Sequence, residues 1–348
     1  MTEYFEYELT KAASILINDM FRLKKGETLV ITADTQTDMR VVNAVAAAAH
    51  TAGAKPMTIV LASPLGVGKA ADNMLPVDSL TGALLYADAW VEFNQQWLLY
   101  STPFERAMKE NKKLRYSCLV GMTVDMMVRL IGRIDAALLS DFLHQVTEMT
   151  QKAGRMRITT PAGNDLSFRL VKERIVGCDD GMADTPGAHF LSGQISFFPE
   201  FDSIQGKLVF DGTISPPCGF LKEPVFLDIE NGVIQKIYGG NQADELRRWL
   251  ESFDDPNMFR LAHGCYGFNP GARMCGNVLE DERVWGCTEW GMGYLSPVDA
   301  PPDGIQAKSH CDGLCLNSSV WLDDELFMEN GVVVHPDVSE KAKRLIGG

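Results

Sequence analysis

The segments ETLVITA (residues 27–33) and PMTIVLA (residues 56–62) decide the fold of the first part of the chain. Each is a short, almost uninterrupted apolar run, which is typical of a strand buried on both faces. Residues 37–53 between them are rich in Val and Ala and end at Gly53, a residue type that commonly follows the last turn of a helix. This order of strand, helix and strand predicts a parallel sheet with right-handed crossovers.

The same alternation extends outward from these segments. Residues 3–23 have apolar side chains at helical spacing and predict an amphipathic helix. Beyond residue 62 we predict helices at 79–86, 103–110, 124–130 and 135–153, and strands at 89–93 and 115–120. We therefore predict an α/β domain over residues 1–153.

From residue 154 onward the pattern changes to strands separated by glycine-rich turns. Residues 155–160 and 166–170 flank the turn AGND and predict a hairpin, and Glu230-Asn231-Gly232 predicts a second one. The remaining predictions are strands at 195–198, 207–214, 225–229 and 233–238, with a helix at 241–253. We predict a β-rich α+β domain over residues 154–348.

Composition excludes several classes of protein. The 348 residues carry a formal net charge of −14, which argues against nucleic acid and anionic membrane surfaces as partners. No apolar run reaches the roughly 18 residues of a membrane span, and the acidic N-terminus is not typical of a signal peptide. The eight cysteines form no C-x-x-C pair. We expect a cytoplasmic protein with reduced thiols that assembles into a homo-oligomer.

The segment AKSHCDG (residues 307–313) is the first candidate for a functional site. His310 and Asp312 are two residues apart, so in a strand both side chains point to the same face. His263, in LAHGCYG, is the best candidate for a third ligand. Two histidines and a carboxylate suit a mononuclear iron(II) oxygenase or hydrolytic zinc. The alternative is a structural hydrogen bond between His310 and Asp312.

The order of motifs along the chain resembles the aminopeptidase T family of metallopeptidases. The resemblance is carried by RMRITTPAGNDLSF, SGQISFFPE, LAHGCYGFNPGA, DERVWGCTEWGMG and KSHCDG. It implies an α/β domain followed by a β-rich catalytic domain. Gln194 and His263 stand where that family has glutamates that hold two metal ions, and Glu289 stands where it has a histidine. A two-metal centre would lack its acidic oxygens here, which favours a single ion.

The altered pattern resembles the 2,5-dihydroxypyridine 5,6-dioxygenase family, which shares this fold. The resemblance implies one Fe(II) per chain, held by His263, His310 and Asp312. It further implies that His189 is a catalytic base. Where the family has a histidine in its N-terminal domain, the matching region of this chain offers Glu105.

Two further side chains are expected near the metal. Glu289 would orient a ligand or act as a fourth one, and Gln194 would hydrogen-bond a substrate oxygen or a buried backbone group.

The resemblance also implies an activity. The expected reaction is an extradiol-type cleavage by dioxygen of a hydroxylated N-heteroaromatic ring, foremost 2,5-dihydroxypyridine to N-formylmaleamic acid in nicotinate degradation. The alternatives are a metallo-aminopeptidase, a metal-dependent hydrolase or deaminase of a substituted aromatic ring, and a ligand-binding relative without activity.

Overall fold

The computed structural model describes residues 5–347. Residues 3 and 4 of the first predicted helix therefore lie outside the described part of the chain. No helix between residues 5 and 347 is long and apolar enough to cross a membrane. The α-helices are α1 (Glu6–Ile15), α2 (Met39–Thr51), α3 (Val77–Leu85), α4 (Thr102–Glu110), α5 (Val124–Met127), α6 (Ala136–Lys152), α7 (Asn241–Glu251), α8 (Val278–Asp281) and α9 (Pro336–Ile346).

The strands follow the same numbering in chain order. They are β1 (Thr28–Asp34), β2 (Lys55–Leu61), β3 (Ala89–Glu92), β4 (Arg115–Cys118), β5 (Arg155–Thr159), β6 (Asp165–Arg169), β7 (Gly177–Asp179), β8 (Gly187–Phe190), β9 (Gln194–Phe197), β10 (Gln205–Phe210), β11 (Thr213–Ser215), β12 (Gly219–Phe220), β13 (Val225–Glu230), β14 (Val233–Tyr238), β15 (Leu261–Gly267), β16 (Thr288–Leu295), β17 (Ile305–Cys315), β18 (Ser319–Leu322), β19 (Glu325–Glu329) and β20 (Val332–Val333).

The chain divides into two compact units and passes between them three times. The first unit contains residues 1–136 and 179–192, and the second contains residues 137–178 and 193–348. The boundary that we expected between residues 153 and 154 lies inside the second unit. Helix α6 belongs to that unit because its buried Phe142 contacts the rings of Phe268 and Trp285, with centroids 5.3 and 5.5 Å apart.

The first unit is built on a five-stranded sheet in the order β2-β1-β3-β4-β8. All four strand pairs are parallel, which confirms the predicted parallel sheet. Helix α2 ends at Thr51, and Gly53 follows with a φ of +82°, as predicted for a helix stop. The first predicted helix is less regular than expected, because α1 ends at Ile15 and continues as a π-helical turn over Leu16–Met20.

The second unit contains two sheets. An eight-stranded sheet has the order β14-β13-β10-β6-β5-β18-β19-β20, and a seven-stranded sheet has the order β12-β11-β17-β16-β15-β9-β7. Both predicted hairpins are confirmed: β5 pairs with β6 and β13 with β14, each antiparallel. Asn231 and Gly232, at the second turn, have φ values of 51° and 70°, as a tight hairpin requires.

Aromatic side chains fill the space between these two sheets. Phe168 of the eight-stranded sheet contacts Phe197 and Trp290 of the seven-stranded sheet, with ring centroids 5.7 and 5.2 Å apart. Tyr266 likewise contacts Phe327 at 5.7 Å. One face of the seven-stranded sheet is therefore occupied by core packing, and functional side chains must lie on its other face.

The single strand predicted at residues 207–214 was wrong. The segment forms β10 in the eight-stranded sheet and β11 in the seven-stranded sheet. Asp211 and Gly212 make the break, because both backbone N–H groups donate to the carbonyl of Leu314 instead of continuing the β10 ladder. The chain thereby moves from one sheet to the next.

Candidate metal centre

The candidate ligands lie on adjacent strands of the seven-stranded sheet. His263 of β15 is opposite Gly291 of β16, and Gly291 is opposite Asp312 of β17. His310 precedes Asp312 by two residues and shares its face of the strand. A bulge between Leu261 and His263 sets the register of β15 at this point. The three predicted ligands are thus brought together by backbone pairing in the middle of a sheet.

Their ligand atoms form a close cluster. Nε2 of His310 lies 2.7 Å from Oδ1 of Asp312 and 3.3 Å from Nε2 of His263. Nε2 of His263 lies 3.7 Å from the same Asp312 oxygen. The side chains of His263, His310 and Asp312 are 17%, 31% and 15% exposed, so the cluster is recessed but open to solvent.

Gly291 leaves the space that both imidazoles occupy. A Cβ at this position would lie 2.4 Å from Nε2 of His263 and 2.8 Å from Cε1 of His310. The rings are nearly parallel, at an interplanar angle of 13° with centroids 5.2 Å apart. The missing side chain in the central strand therefore allows the two flanking histidines to meet.

Hydrogen bonding determines which nitrogen of His310 is available. Nδ1 lies 2.7 Å from the carbonyl oxygen of Tyr294, which can only accept. Nδ1 therefore carries a proton, and Nε2, which lies 2.7 Å from Oδ1 of Asp312, is the nitrogen left to bind a cation in place of the proton that it donates to that carboxylate. This is the arrangement that a histidine needs in order to bind a cation through Nε2.

The electrostatics of the cluster suit a cation. Burial lowers the pKa of His263 to about 4, and the neighbouring His310 adds to this effect. Burial also opposes the charged form of His310, but Asp312 outweighs it and raises the pKa of His310 to about 9. For Asp312, burial raises the pKa, yet the charge of His310 lowers it below the usual value.

Glu289 lies beside this cluster. It is directly opposite Cys265 in the sheet, and its side chain is fully buried. Oε2 of Glu289 lies 3.7 Å from Nδ1 of His263, and neither carboxyl oxygen has a hydrogen-bond partner in the described part of the chain. Burial and the charge of Asp312 raise the pKa of Glu289 well above its usual value. A second cluster is thus formed by His263, Cys265 and Glu289.

Gln194 contacts a carboxylate that we did not predict. Its Nε2 donates to Oε2 of Glu282 at 3.1 Å. Burial and the charge of Asp312 raise the pKa of Glu282 to about 8. Sequence reasoning also missed Cys265, whose Sγ lies 3.6 Å from Nδ1 of His263. The sequence feature that could have placed Cys265 near the ligands is its position two residues after His263. No sequence feature predicted the position of Glu282.

The two predicted catalytic residues belong to the first unit. His189 lies on β8, opposite Ser117 of β4, and its Nε2 donates to the carbonyl of Thr185 at 2.8 Å. Glu105 lies in the first turn of α4 and forms an exposed ion pair with Lys69 at 2.6 Å. His189 is therefore part of the edge strand of the parallel sheet.

The donor set fits one divalent cation with open coordination positions. Ligand atoms held about 2.1 Å from an ion at right angles to one another are about 3 Å apart. The three separations of 2.7, 3.3 and 3.7 Å bracket this value. Two imidazoles and one carboxylate on one side of an ion suit iron(II) or zinc.

Comparison with known proteins identifies the family. A sequence model of the 2,5-dihydroxypyridine 5,6-dioxygenase (NicX) family matches residues 18–335. The chain is 26% identical to the 2,5-dihydroxypyridine 5,6-dioxygenase of Pseudomonas putida KT2440, over 97% of each chain.

Solved structures agree on the fold. The 2,5-dihydroxypyridine dioxygenase from the same organism superposes with a TM-score of 0.79 at 22% identity and covers 96% of this chain and 99% of its own. AmpT from Thermus thermophilus superposes with a TM-score of 0.70 at 14% identity and covers 95% of this chain and 100% of its own. The predicted fold is therefore confirmed, and the chain belongs to the 2,5-dihydroxypyridine 5,6-dioxygenase family.

Proposed function

We propose that this protein is an iron(II)-dependent dioxygenase that opens the ring of 2,5-dihydroxypyridine to give N-formylmaleamic acid. The observation that carries the proposal is the cluster of His263 Nε2, His310 Nε2 and Asp312 Oδ1 within 3.7 Å in a chain of this family. In the overall reaction the C5–C6 bond of the ring breaks. Both atoms of dioxygen enter the product, so no external reductant is needed.

The three ligands would hold the ion from one side. Bound iron(II) supplies the coupling between the ring and dioxygen that protein side chains alone cannot provide. The protein would fix the position of the ion, because all three ligands are attached to central strands of the sheet. Phe198 adds an apolar surface beside the ligands, with its ring edge-on to His263 at a centroid distance of 6.4 Å. We assign Phe198 a contact with the aromatic ring of the substrate.

Two side chains of the first unit are proposed to move protons. His189 donates from Nε2 to a backbone carbonyl, so its Nδ1 carries the free lone pair. A neutral imidazole suits the removal of a hydroxyl proton from the ring near neutral pH. Glu105 is the second candidate, and its carboxylate is held by Lys69. Removal of that proton makes the ring electron-rich and reactive toward dioxygen.

The test begins with protein purified and loaded with Fe(II) without oxygen. Oxygen uptake and loss of 2,5-dihydroxypyridine should then proceed in equal amounts, with N-formylmaleamic acid identified by mass spectrometry. His310→Ala should lose bound iron and activity together. His50→Ala is the matched control, because His50 is an exposed residue of α2.

Other outcomes would point to another reaction. Hydrolysis of peptides without oxygen uptake would favour the aminopeptidase alternative. Release of ammonia from an amino-substituted ring without oxygen uptake would favour a deaminase. Full iron occupancy in His263→Ala or Asp312→Ala would contradict the proposed ligand set.

A further inference from the structure

The buried carboxyl group of Glu289 lacks a hydrogen-bond partner. Glu289 is fully buried on the central strand β16, and neither of its carboxyl oxygens makes a hydrogen bond with residues 5–347, although Asp312 and Cys265 lie close enough to shift its pKa. An unpaired buried carboxyl group costs stability, and native proteins rarely retain one without a functional reason. The group therefore requires an explanation beyond packing.

The nearest histidine nitrogen is the one that the metal centre does not use. Nε2 of His263 belongs to the ligand cluster, so a neutral His263 that binds a cation through Nε2 carries its proton on Nδ1. Oε2 of Glu289 lies 3.7 Å from that Nδ1. The corresponding nitrogen of His310 already has an acceptor, the carbonyl of Tyr294 at 2.7 Å. Within residues 5–347, no backbone carbonyl forms a hydrogen bond with Nδ1 of His263.

Cys265 is the competing acceptor. Its Sγ lies 3.6 Å from the same Nδ1 and 3.2 Å from Oγ of Ser196. A thiol sulfur accepts hydrogen bonds only weakly, whereas a carboxyl group offers a strong acceptor oxygen whether or not it is protonated. The shift needed to bring Glu289 into hydrogen-bond range is less than about 1 Å, since N–H···O bonds are about 2.9 Å long.

We propose that Glu289 is the positioning residue that accepts a hydrogen bond from Nδ1 of His263 when a cation is bound, and that it is not a fourth ligand. The inference rests on the proposed role of His263 as a ligand. It explains why the buried carboxyl group of Glu289 makes no hydrogen bond with the described residues in the metal-free protein. Its donor would be the Nδ1–H of His263, and a cation bound at Nε2 would fix the ring proton on Nδ1. It also assigns each histidine of the centre its own acceptor, a side chain for His263 and a backbone carbonyl for His310.

The test measures cation affinity and not only activity. Co(II) is titrated anaerobically into the metal-free wild type, Glu289→Leu, Glu289→Gln and Cys265→Ala, and its visible spectrum reports coordination. Leu removes the acceptor, Gln retains an amide oxygen, and Cys265→Ala removes the competing thiol. Thermal unfolding of each metal-free protein is measured in parallel.

We expect Glu289→Leu to weaken Co(II) binding about 10- to 100-fold, which is the usual effect of removing such a partner. Glu289→Gln should lose roughly threefold to tenfold, and Cys265→Ala should change affinity less than about threefold. The metal-free Glu289→Leu protein should unfold at or above the wild-type temperature, because an unpaired buried carboxyl group has been removed. If Glu289 only stabilised the fold, the metal-free Glu289→Leu protein would instead unfold at a lower temperature than the wild type.

Wild-type Co(II) affinity in Glu289→Leu, or a lower unfolding temperature of the metal-free variant, would overturn the inference. If Glu289→Leu does not fold, Glu289→Gln decides: weakened binding supports the proposal and unchanged affinity overturns it. The two proposals can be told apart. If the iron-loaded wild type consumes no oxygen with dihydroxypyridine while Glu289→Leu still binds Co(II) more weakly, the proposed function is wrong and the role of Glu289 stands.

Discussion

Replacing Gly291 with alanine should disable the metal centre while leaving the fold in place. The added Cβ would lie 2.4 Å from Nε2 and 2.6 Å from Cδ2 of His263, and 2.8 Å from Cε1 of His310. Both imidazoles must move away from the central strand to restore ordinary contact. The backbone itself is not the obstacle, because Gly291 is not among the residues with positive φ.

The size of the effect follows from these distances. Ordinary contact begins near 3.4 Å, so the atom at 2.4 Å must retreat by about 1 Å. A misplacement of about 1 Å at a reacting centre costs roughly 100-fold in rate, or about 2.7 kcal/mol. The overpacking itself should cost about 1–3 kcal/mol of stability.

Gly264→Ala is the matched control. Gly264 lies on β15 and faces the core, where a Cβ would lie 2.5 Å from the ring of Phe197. It should lose a similar amount of stability without displacing a ligand. Urea unfolding, Co(II) titration and steady-state oxygen uptake are measured on both variants. Wild-type Co(II) affinity and kcat in Gly291→Ala would refute the reasoning, as would an equal loss of affinity in Gly264→Ala.

Three further predictions follow from other parts of the structure. Burial raises the pKa of Glu92 from 4.5 to about 7, so the folded state keeps a proton that the unfolded state releases. Stability should therefore fall by about 3 kcal/mol as the pH rises from 4.5 to 7, and Glu92→Gln should flatten this dependence in urea titrations; an unchanged slope would contradict it. Glu105→Gln breaks only an exposed ion pair, so the free energy of unfolding should change by less than about 1 kcal/mol while kcat falls. A kcat equal to that of the wild type would contradict a catalytic role for Glu105. Phe168→Ala removes the ring that packs against Trp290 and should cost about 3–5 kcal/mol in urea unfolding, and a loss below about 1 kcal/mol would show that the two sheets do not depend on this contact.

The candidate metal ligands could be predicted from the sequence because two of them are close together along the chain. His310 and Asp312 are two residues apart in a strand, and this alone places both side chains on one face. His263 was harder to assign, since its position depends on a cross-strand register and a bulge. The roles of the three residues, the identity of the ion, self-association and cytoplasmic location stay predictions.

The parts that sequence reasoning missed are non-local. Glu282 approaches Gln194 from a position 88 residues further along the chain, and no period or motif encodes that contact. The break at Asp211 and Gly212 depends on the carbonyl of Leu314, which lies about one hundred residues away. Helix α6 has an ordinary amphipathic pattern, and only the partners of Phe142 reveal which unit it joins.

The fifth strand of the parallel sheet has a consequence for how the chain is made. Residues 119–186 must be synthesised between β4 and β8, so the edge of β4 stays without its neighbour until residues 187–190 leave the ribosome. Late delivery of a non-local strand slows folding and exposes backbone groups that invite pairing with another chain. A recombinant fragment ending at residue 136 would keep that edge permanently bare. A soluble fragment of this unit should therefore carry residues 179–192 as well, joined through a linker.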